Sequence, residues 1–261
     1  MKKNIFIIVI TMIVISFVLV QCTKENTSEP KSKIEDNQSI ELRSQAPENI
    51  IYPPVNCGPE DYNEHIVCFP GHDTTMTIQT EKGCAVSVTM FVRICHDDQN
   101  SFYVDFSNFR WRPIFPMSNA CEEYLISLWS KSNSDFNDEL DDFNQEIVDK
   151  FQEIYMTDWV VSKNIGCDGD ENYATSLYFK IVCQQRCVTP PSPENGAPFY
   201  FVDKSCATDG CCVDLGYYCV QEGQVFVSKS TDPISPCTDF YSVDCGDLLP
   251  RGDCRDKGCS D

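Results

Sequence analysis

FNDELDDFNQEIVDKFQEI, residues 136–154, is the stretch from which the fold class follows. Phe136, Leu140, Phe143, Ile147, Phe151 and Ile154 recur at spacings of three and four, the period of an amphipathic helix with one packed face. Its other positions carry Asp138, Glu139, Asp141, Asp142, Glu146, Asp149 and Glu153, opposed by Lys150 alone. The preferred reading of that acidic side is a solvated face; the alternative is a surface for a cationic partner or divalent ions. A second helix precedes it, with Asn119 and Glu122 at capping-box spacing ahead of Tyr124, Leu125, Leu128 and Trp129.

On both sides of these helices the period changes to two. Val86, Val88, Met90, Val92 and Ile94 alternate along one strand, joined to a strand over 74–79 by Thr80-Glu81-Lys82-Gly83. Phe102, Val104 and Phe106 mark the next strand, and Tyr173, Thr175, Leu177, Phe179 and Ile181 a late one. Strands, two helices, then strands predict an α+β fold: an antiparallel sheet with both helices packed on one face, over residues 51–189. Residues 190–198 are rich in proline and turn formers and read as a linker. Residues 199–261 read as a small disulfide-rich β/loop domain, with a hairpin over 213–220 and 224–228 turning at Gln221-Glu222-Gly223.

The cysteines describe the compartment. There are 17, too many for a reducing cytosol, and the odd count leaves one outside any internal pairing. Cys57, Cys68, Cys84, Cys95, Cys121, Cys167, Cys183 and Cys187 fall in the first region, and Cys206, Cys211, Cys212, Cys219, Cys237, Cys245, Cys254 and Cys259 in the second. Both sets are even, so two cysteine-balanced modules are expected, with connectivity open. The adjacent Cys211 and Cys212 are expected to take different partners, since bonding neighbours strains the peptide. The remaining cysteine is Cys22.

Cys22 ends a targeting segment. Lys2 and Lys3 precede an apolar run over 5–20 that is too short to span a bilayer as a helix, and that suits a secretory signal. Leu19-Val20-Gln21-Cys22 follows, with Gln21 where a small residue is usual. This resembles the lipobox of bacterial lipoproteins, and the resemblance covers residues 1–22 only. It implies removal of 1–21, lipidation of Cys22, and attachment to the bacterial cell envelope, at the outer membrane or cell surface or on the periplasmic side. Residues 22–50 are polar and read as a flexible tether with a span of about 30 Å.

No motif carries chemistry strongly. With 40 acidic and 20 basic residues the chain has a net charge of −20, which excludes nucleic acid as a partner. Cys183-x3-Cys187 and Cys254-x4-Cys259 have tolerable metal spacing, but disulfides are preferred in an oxidising compartment, and no metal or cofactor is expected. His65, His72 and His96 lie near Asp73, Asp97 and Asp98 without any metal or nucleophile motif around them. The acidic turn over 167–172 is not an EF-hand, because Tyr173 and Phe179 break its pattern.

Two candidate partner-binding sets stand out. One is Arg110, Trp111 and Arg112, for which packing against the acidic helix is the preferred alternative. The other is Arg251-Gly252-Asp253, the tripeptide read by animal integrins, which a Cys245–Cys254 bond would display. The expected function is therefore a binding or structural role, with a protein or glycan ligand and a lipid link to the membrane. Two alternatives stand beside it. An envelope hydrolase would need His65, His72 or His96 to share a pocket with buried carboxylates. A carbohydrate-binding module would need exposed coplanar rings among Phe199, Tyr200, Phe201, Tyr217 and Tyr218.

Overall fold

The computed structural model describes residues 48–51, 57–99, 101–167, 173–191 and 199–259. The signal sequence, Cys22, the tether up to 47, the acidic turn over 168–172 and residues 192–198 of the linker lie outside the described residues. Along the chain the elements are β1 (Asn49–Ile51), α1 (Pro59–Tyr62), β2 (Val67–Cys68), β3 (His72–Gln79), β4 (Ala85–His96), β5 (Phe102–Pro113), α2 (Asn119–Trp129) and α3 (Asn133–Lys163). They continue with β6 (Ala174–Ile181), β7 (Cys183–Thr189), β8 (Tyr200–Ser205), β9 (Cys211–Gln221), β10 (Gln224–Ser235), β11 (Leu249–Pro250) and β12 (Arg255–Asp256). The fold is α+β, with a curled twelve-stranded sheet and eight disulfides.

β5 is the hub of the sheet. β4 runs antiparallel along nearly its whole length, from Val86 opposite Pro113 to His96 opposite Phe102. Its other edge is shared: β6 pairs with residues 103–106 and β1 with Trp111 and Arg110. Two arms leave from there, β6-β9-β10 and β1-β8-β7-β11, with β12 also on β7. The alternation Val104, Phe106 then jumps to Phe109 and Trp111, because Asn108 takes a left-handed φ of 52° where the β4–β5 register shifts. That bulge turns Trp111 into the core.

The expectation of an antiparallel sheet is corrected. β5 pairs with β6, and β1 with β8, in parallel. The reason lies in the connection: α2 and α3 carry the chain from β5 across to β6, and a parallel neighbour needs a crossover of this kind. Ser118, rather than Asn119, caps α2, its hydroxyl accepting from Cys121 N at 3.1 Å. α3 buries Phe136, Leu140, Phe143, Ile147 and Phe151 as expected, while Ile154 is exposed. The buried row continues instead through Val148, Gln152, Met156 and Val160. Steps of four advance about 40° around a helix, so this row drifts away from Ile154 as α3 crosses the curled sheet.

The two-module division is also corrected. β8 and β9, both beyond the linker, are interior strands of the same sheet as β5 and β6. Of the eight disulfides, Cys68–Cys95 and Cys84–Cys121 lie before the linker and Cys206–Cys254 and Cys212–Cys259 after it. The other four, Cys57–Cys211, Cys167–Cys219, Cys183–Cys237 and Cys187–Cys245, cross it. The tether ends two residues early, because Asn49 is buried in β1 and its Oδ1 accepts from Phe201 N at 3.0 Å. The expected hairpin is present and longer, as β9–β10, with positive φ at Glu222 and Gly223 matching a primed two-residue turn. Among the described residues no helix is long and apolar enough to cross a membrane.

Cys211 and Cys212 send their sulfurs to Cys57 and Cys259. Peptide mapping without reduction is expected to find those two links and no free thiol among the sixteen cysteines from Cys57 onward. A Cys211–Cys212 bond, or a reactive thiol pair, would contradict this pairing.

Candidate functional site

The site is built around a charge that sequence reading missed. Arg186 on β7 is fully buried, and Asp203 stands directly opposite it on β8. The pair is bidentate, with Nε to Oδ1 at 2.6 Å and Nη2 to Oδ2 at 2.5 Å. Nη2 also reaches Asp141 Oδ1 of α3 at 2.7 Å, and Nη1 reaches Asn137 O and Oδ1 at 3.3 Å. The Phe201 ring lies 4.9 Å from the guanidinium carbon. Burial works against the charge on Arg186, and Asp203 and Asp141 more than offset it.

Asp141 extends this junction to the C-terminal segment. Lys257 Nζ sits 2.6 Å from its Oδ1, and Arg255 Nη2 bonds its Oδ2. Burial pushes the Asp141 carboxyl up, but Arg186, Lys257 and Arg255 together override it and hold it at about 2. Burial brings the Lys257 ammonium down to about 8, with Arg186 adding to the fall against the upward pull of Asp141. The preferred reading of the α3 acidic face as merely solvated is thus corrected, since much of it pairs with the chain's own cations. Asp138 meets Arg255, Glu139 meets Lys131, Glu146 meets Lys150, and Asp149 lies 3.3 Å from Lys229.

Between α3 and the two sheet arms lies a cleft of about 690 Å³. Its walls come from α3, from β6, β9 and β10 on one arm, and from β1, β7 and β12 on the other. Asp214 on β9 accepts from Lys180 at 2.8 Å, Thr231 at 2.7 Å and Gln145 at 3.1 Å. Gly216 lets β9 pass under the cleft, since a Cβ there would stand 2.5 Å from Ser176 Oγ and 2.6 Å from the Tyr218 ring. Asn144 and Gln152 line the α3 side and are both almost fully buried. Trp111 Nε1 donates to Asn144 Oδ1 at 2.9 Å, which leaves Nδ2 as the free end of that amide.

Of the acidic α3 face, Asp138, Asp141, Asp142 and Asp149 line the cleft, while the two partner-binding sets singled out from sequence fall elsewhere. Trp111 is buried against Phe143 at 5.3 Å, so it packs on the helix rather than meeting a partner. Arg110 bonds Asp73 at 2.7 Å, and Arg112 sits half-buried opposite Ser87. Arg251 turns inward, stacked 4.6 Å over Trp129 and 4.4 Å over Phe136, with Nη2 donating to the Trp129 and Lys131 carbonyls. Gly252 O accepts from Gln185, and only Asp253 is exposed. Cys245 pairs with Cys187 and Cys254 with Cys206, so no bond between them displays the tripeptide.

Cys183, Cys187, Cys254 and Cys259 all lie in separate disulfides. No group of three potential metal ligands occurs among the described residues. His65 is exposed beside Asp98 at 3.1 Å, His72 starts β3, and His96 leans on Phe69 at 5.3 Å. None of the three lines the cleft, so the shared pocket that a histidine hydrolase needs is not formed there. Phe199, Phe201 and Tyr218 are buried and Tyr200 and Tyr217 are half-buried, so none of the five is a fully exposed ring. No family model, curated protein or solved structure matches this chain.

Two stability predictions follow from the Arg186 junction. Asp203→Asn leaves a buried guanidinium short of a counter-charge and is expected to cost about 3–5 kcal/mol in urea unfolding at pH 7. The Asp141 carboxyl has a folded value below its ordinary 3.8, so its contribution is complete above that pH and disappears as pH falls through about 2. Between those limits the wild type should lose on the order of 2 kcal/mol more than Asp141→Asn. Parallel acid limbs for the two proteins would contradict the assignment.

Proposed function

We propose that the protein is a secreted, lipid-anchored component of the bacterial cell envelope with a binding role. Residues 1–21 act as its signal, Cys22 carries the lipid, and the following polar segment tethers an α+β body whose helices α2 and α3 cover one face of the sheet. The observation that carries this reading is the cysteine arrangement. All sixteen cysteines from Cys57 onward are in disulfide pairs, and Cys22, at the end of the apolar run, is left over. Eight disulfides in one body suit an oxidising compartment. Several acyl chains on one cysteine would hold the chain to a membrane where a single chain would not.

The binding part rests on the cleft. It is concave, within the size range of small-molecule sites, and walled by polar groups that converge from one helix and two sheet arms. The outer membrane or cell surface is the proposed address, with the cleft facing the medium. The test is metabolic labelling with a radioactive fatty acid in a bacterial host. Label is expected on the wild type and absent from Cys22→Ala, and label that persists on the variant would overturn lipidation at Cys22.

A further inference from the structure

We infer that the cleft between α3 and the two sheet arms is a site for a small organic cation, a linear diamine or polyamine bearing primary ammonium groups. This rests on the binding role proposed above and names the ligand class. The first ground is charge. Six aspartates and four cations line the cleft, an excess of two negative charges. The cations are all engaged from within the wall: Lys180 by Asp214, Lys229 by Asp149, Arg255 by Asp138 and Asp141, and Lys257 by Asp141. Asp142 on α3 and Asp256 on β12 are the carboxylates left over. Both are exposed, and neither meets a cation among the described residues. They make the open side of the cleft negative, in a chain of net charge −20.

The second ground is a hydroxyl at the buried end. Tyr178 on β6 lines the cleft and is only 5% exposed, yet its hydroxyl has no hydrogen-bond partner among the described residues. Unlike the orphaned hydroxyls of Tyr124 and Tyr218, it is not sealed from solvent, so it opens into the cleft that its residue lines. Asp214 stands directly opposite Tyr178 on β9. Burial, with Asp214 and then Asp203 adding to it, pushes the phenol well above its ordinary range and keeps it protonated. A neutral oxygen beside carboxylates suits a donor that carries positive charge, and an ammonium N–H is such a donor. An anion at the same place would meet the field of both aspartates.

The kind of cation follows from how the wall is laid out. No group of three potential metal ligands gathers among the described residues, so the negative excess is spread along the cleft rather than focused on one point. Val148 of the core beneath α3, and Ile51 packed against that core, belong to the same wall. Methylenes between separated ammonium groups can lie along such side chains while the charges face the carboxylates. A volume of about 690 Å³ holds a chain of this kind.

The test uses the full chain in detergent and titration calorimetry with three probe sets: putrescine and spermidine, neutral mono- and disaccharides, and uronic acids. Three variants accompany the wild type. Tyr178→Phe removes a hydroxyl that has no partner within the protein, so its thermal midpoint should not fall, while affinity for the amines should drop about tenfold. Asp142→Asn should weaken them about threefold. Glu123→Gln, an exposed position of α2 outside the cleft, makes the same change of charge and should leave affinity as it is.

Amine binding at one site that Tyr178→Phe and Asp142→Asn impair, and Glu123→Gln does not, supports the inference. Amine binding that ignores Tyr178→Phe, or that Glu123→Gln weakens as much as Asp142→Asn, is bulk attraction to an acidic chain and overturns this site. A lowered thermal midpoint in Tyr178→Phe shows that the hydroxyl is bonded within the protein, and it overturns the site as well. Binding confined to neutral sugars or to uronic acids overturns the ligand class and leaves the binding role standing. If no probe set binds at all, the inference and the binding part of the proposed function fall together, while the labelling of Cys22 is judged on its own.

Discussion

The buried charge of Arg186 is the constraint on which the rest of the structure depends. A guanidinium with no solvent access needs its donors satisfied from within, and here Asp203, Asp141 and Asn137 satisfy them from β8 and from α3. These groups are drawn from three separated segments of the chain, so the charge is compensated only when the β7–β8 pair and α3 are docked together. Such a network contributes less net stability than an apolar core of equal volume, but it penalises every arrangement that leaves one of its members alone. It fixes where the helix lies on one arm of the sheet. The C-terminal segment then follows, because Arg255 and Lys257 close over the remaining face of Asp141.

The covalent links act on the same joint. Cys187, next to Arg186, is bonded to Cys245, and Cys183 at the start of β7 to Cys237. Gly210 packs against the second of these, with φ of 112° and a virtual Cβ only 1.8 Å from Cys183 Sγ, so no other residue fits there. Each of the four bonds that cross the linker ties a strand, β9 on one arm or β7 on the other, to a segment outside the named strands on the linker's other side. The cleft lies where those arms diverge from β5 beneath α3, so its shape is set by the same joint that Arg186 and the disulfides hold.

Local features were legible in the sequence. The alternation of β4, the stripe of α3 from Phe136 to Phe151, and the β9–β10 turn at Glu222-Gly223 all follow from short-range period and turn chemistry. The parallel pairing of β5 with β6 did not, because the crossover it needs spans two helices and nothing within either strand encodes its neighbour. Cysteine parity misled for a definite reason: two even sets remain even when any even number of bonds joins them, and here that number is four. The cleft was almost wholly hidden. Arg186 sits in the polar run Gln184-Gln185-Arg186, Asp203 in an otherwise ordinary strand, and only the β7–β8 register brings them face to face. The packing of Trp111 on the helix was the preferred reading, and the bulge at Asn108 is what permits it, since it moves that ring from the face that simple alternation implies.

The shared sheet and the crossing disulfides make these segments one cooperative body, in place of an α+β domain followed by a separate cysteine-rich tail. Native-state hydrogen exchange across a denaturant series tests it most directly. The slowest amides of α3, β5, β7, β8 and β9 are expected to exchange through one common opening, with the same free energy and the same denaturant dependence. An opening in which β7, β8 and β9 lose protection while α3 and β5 keep theirs would contradict it.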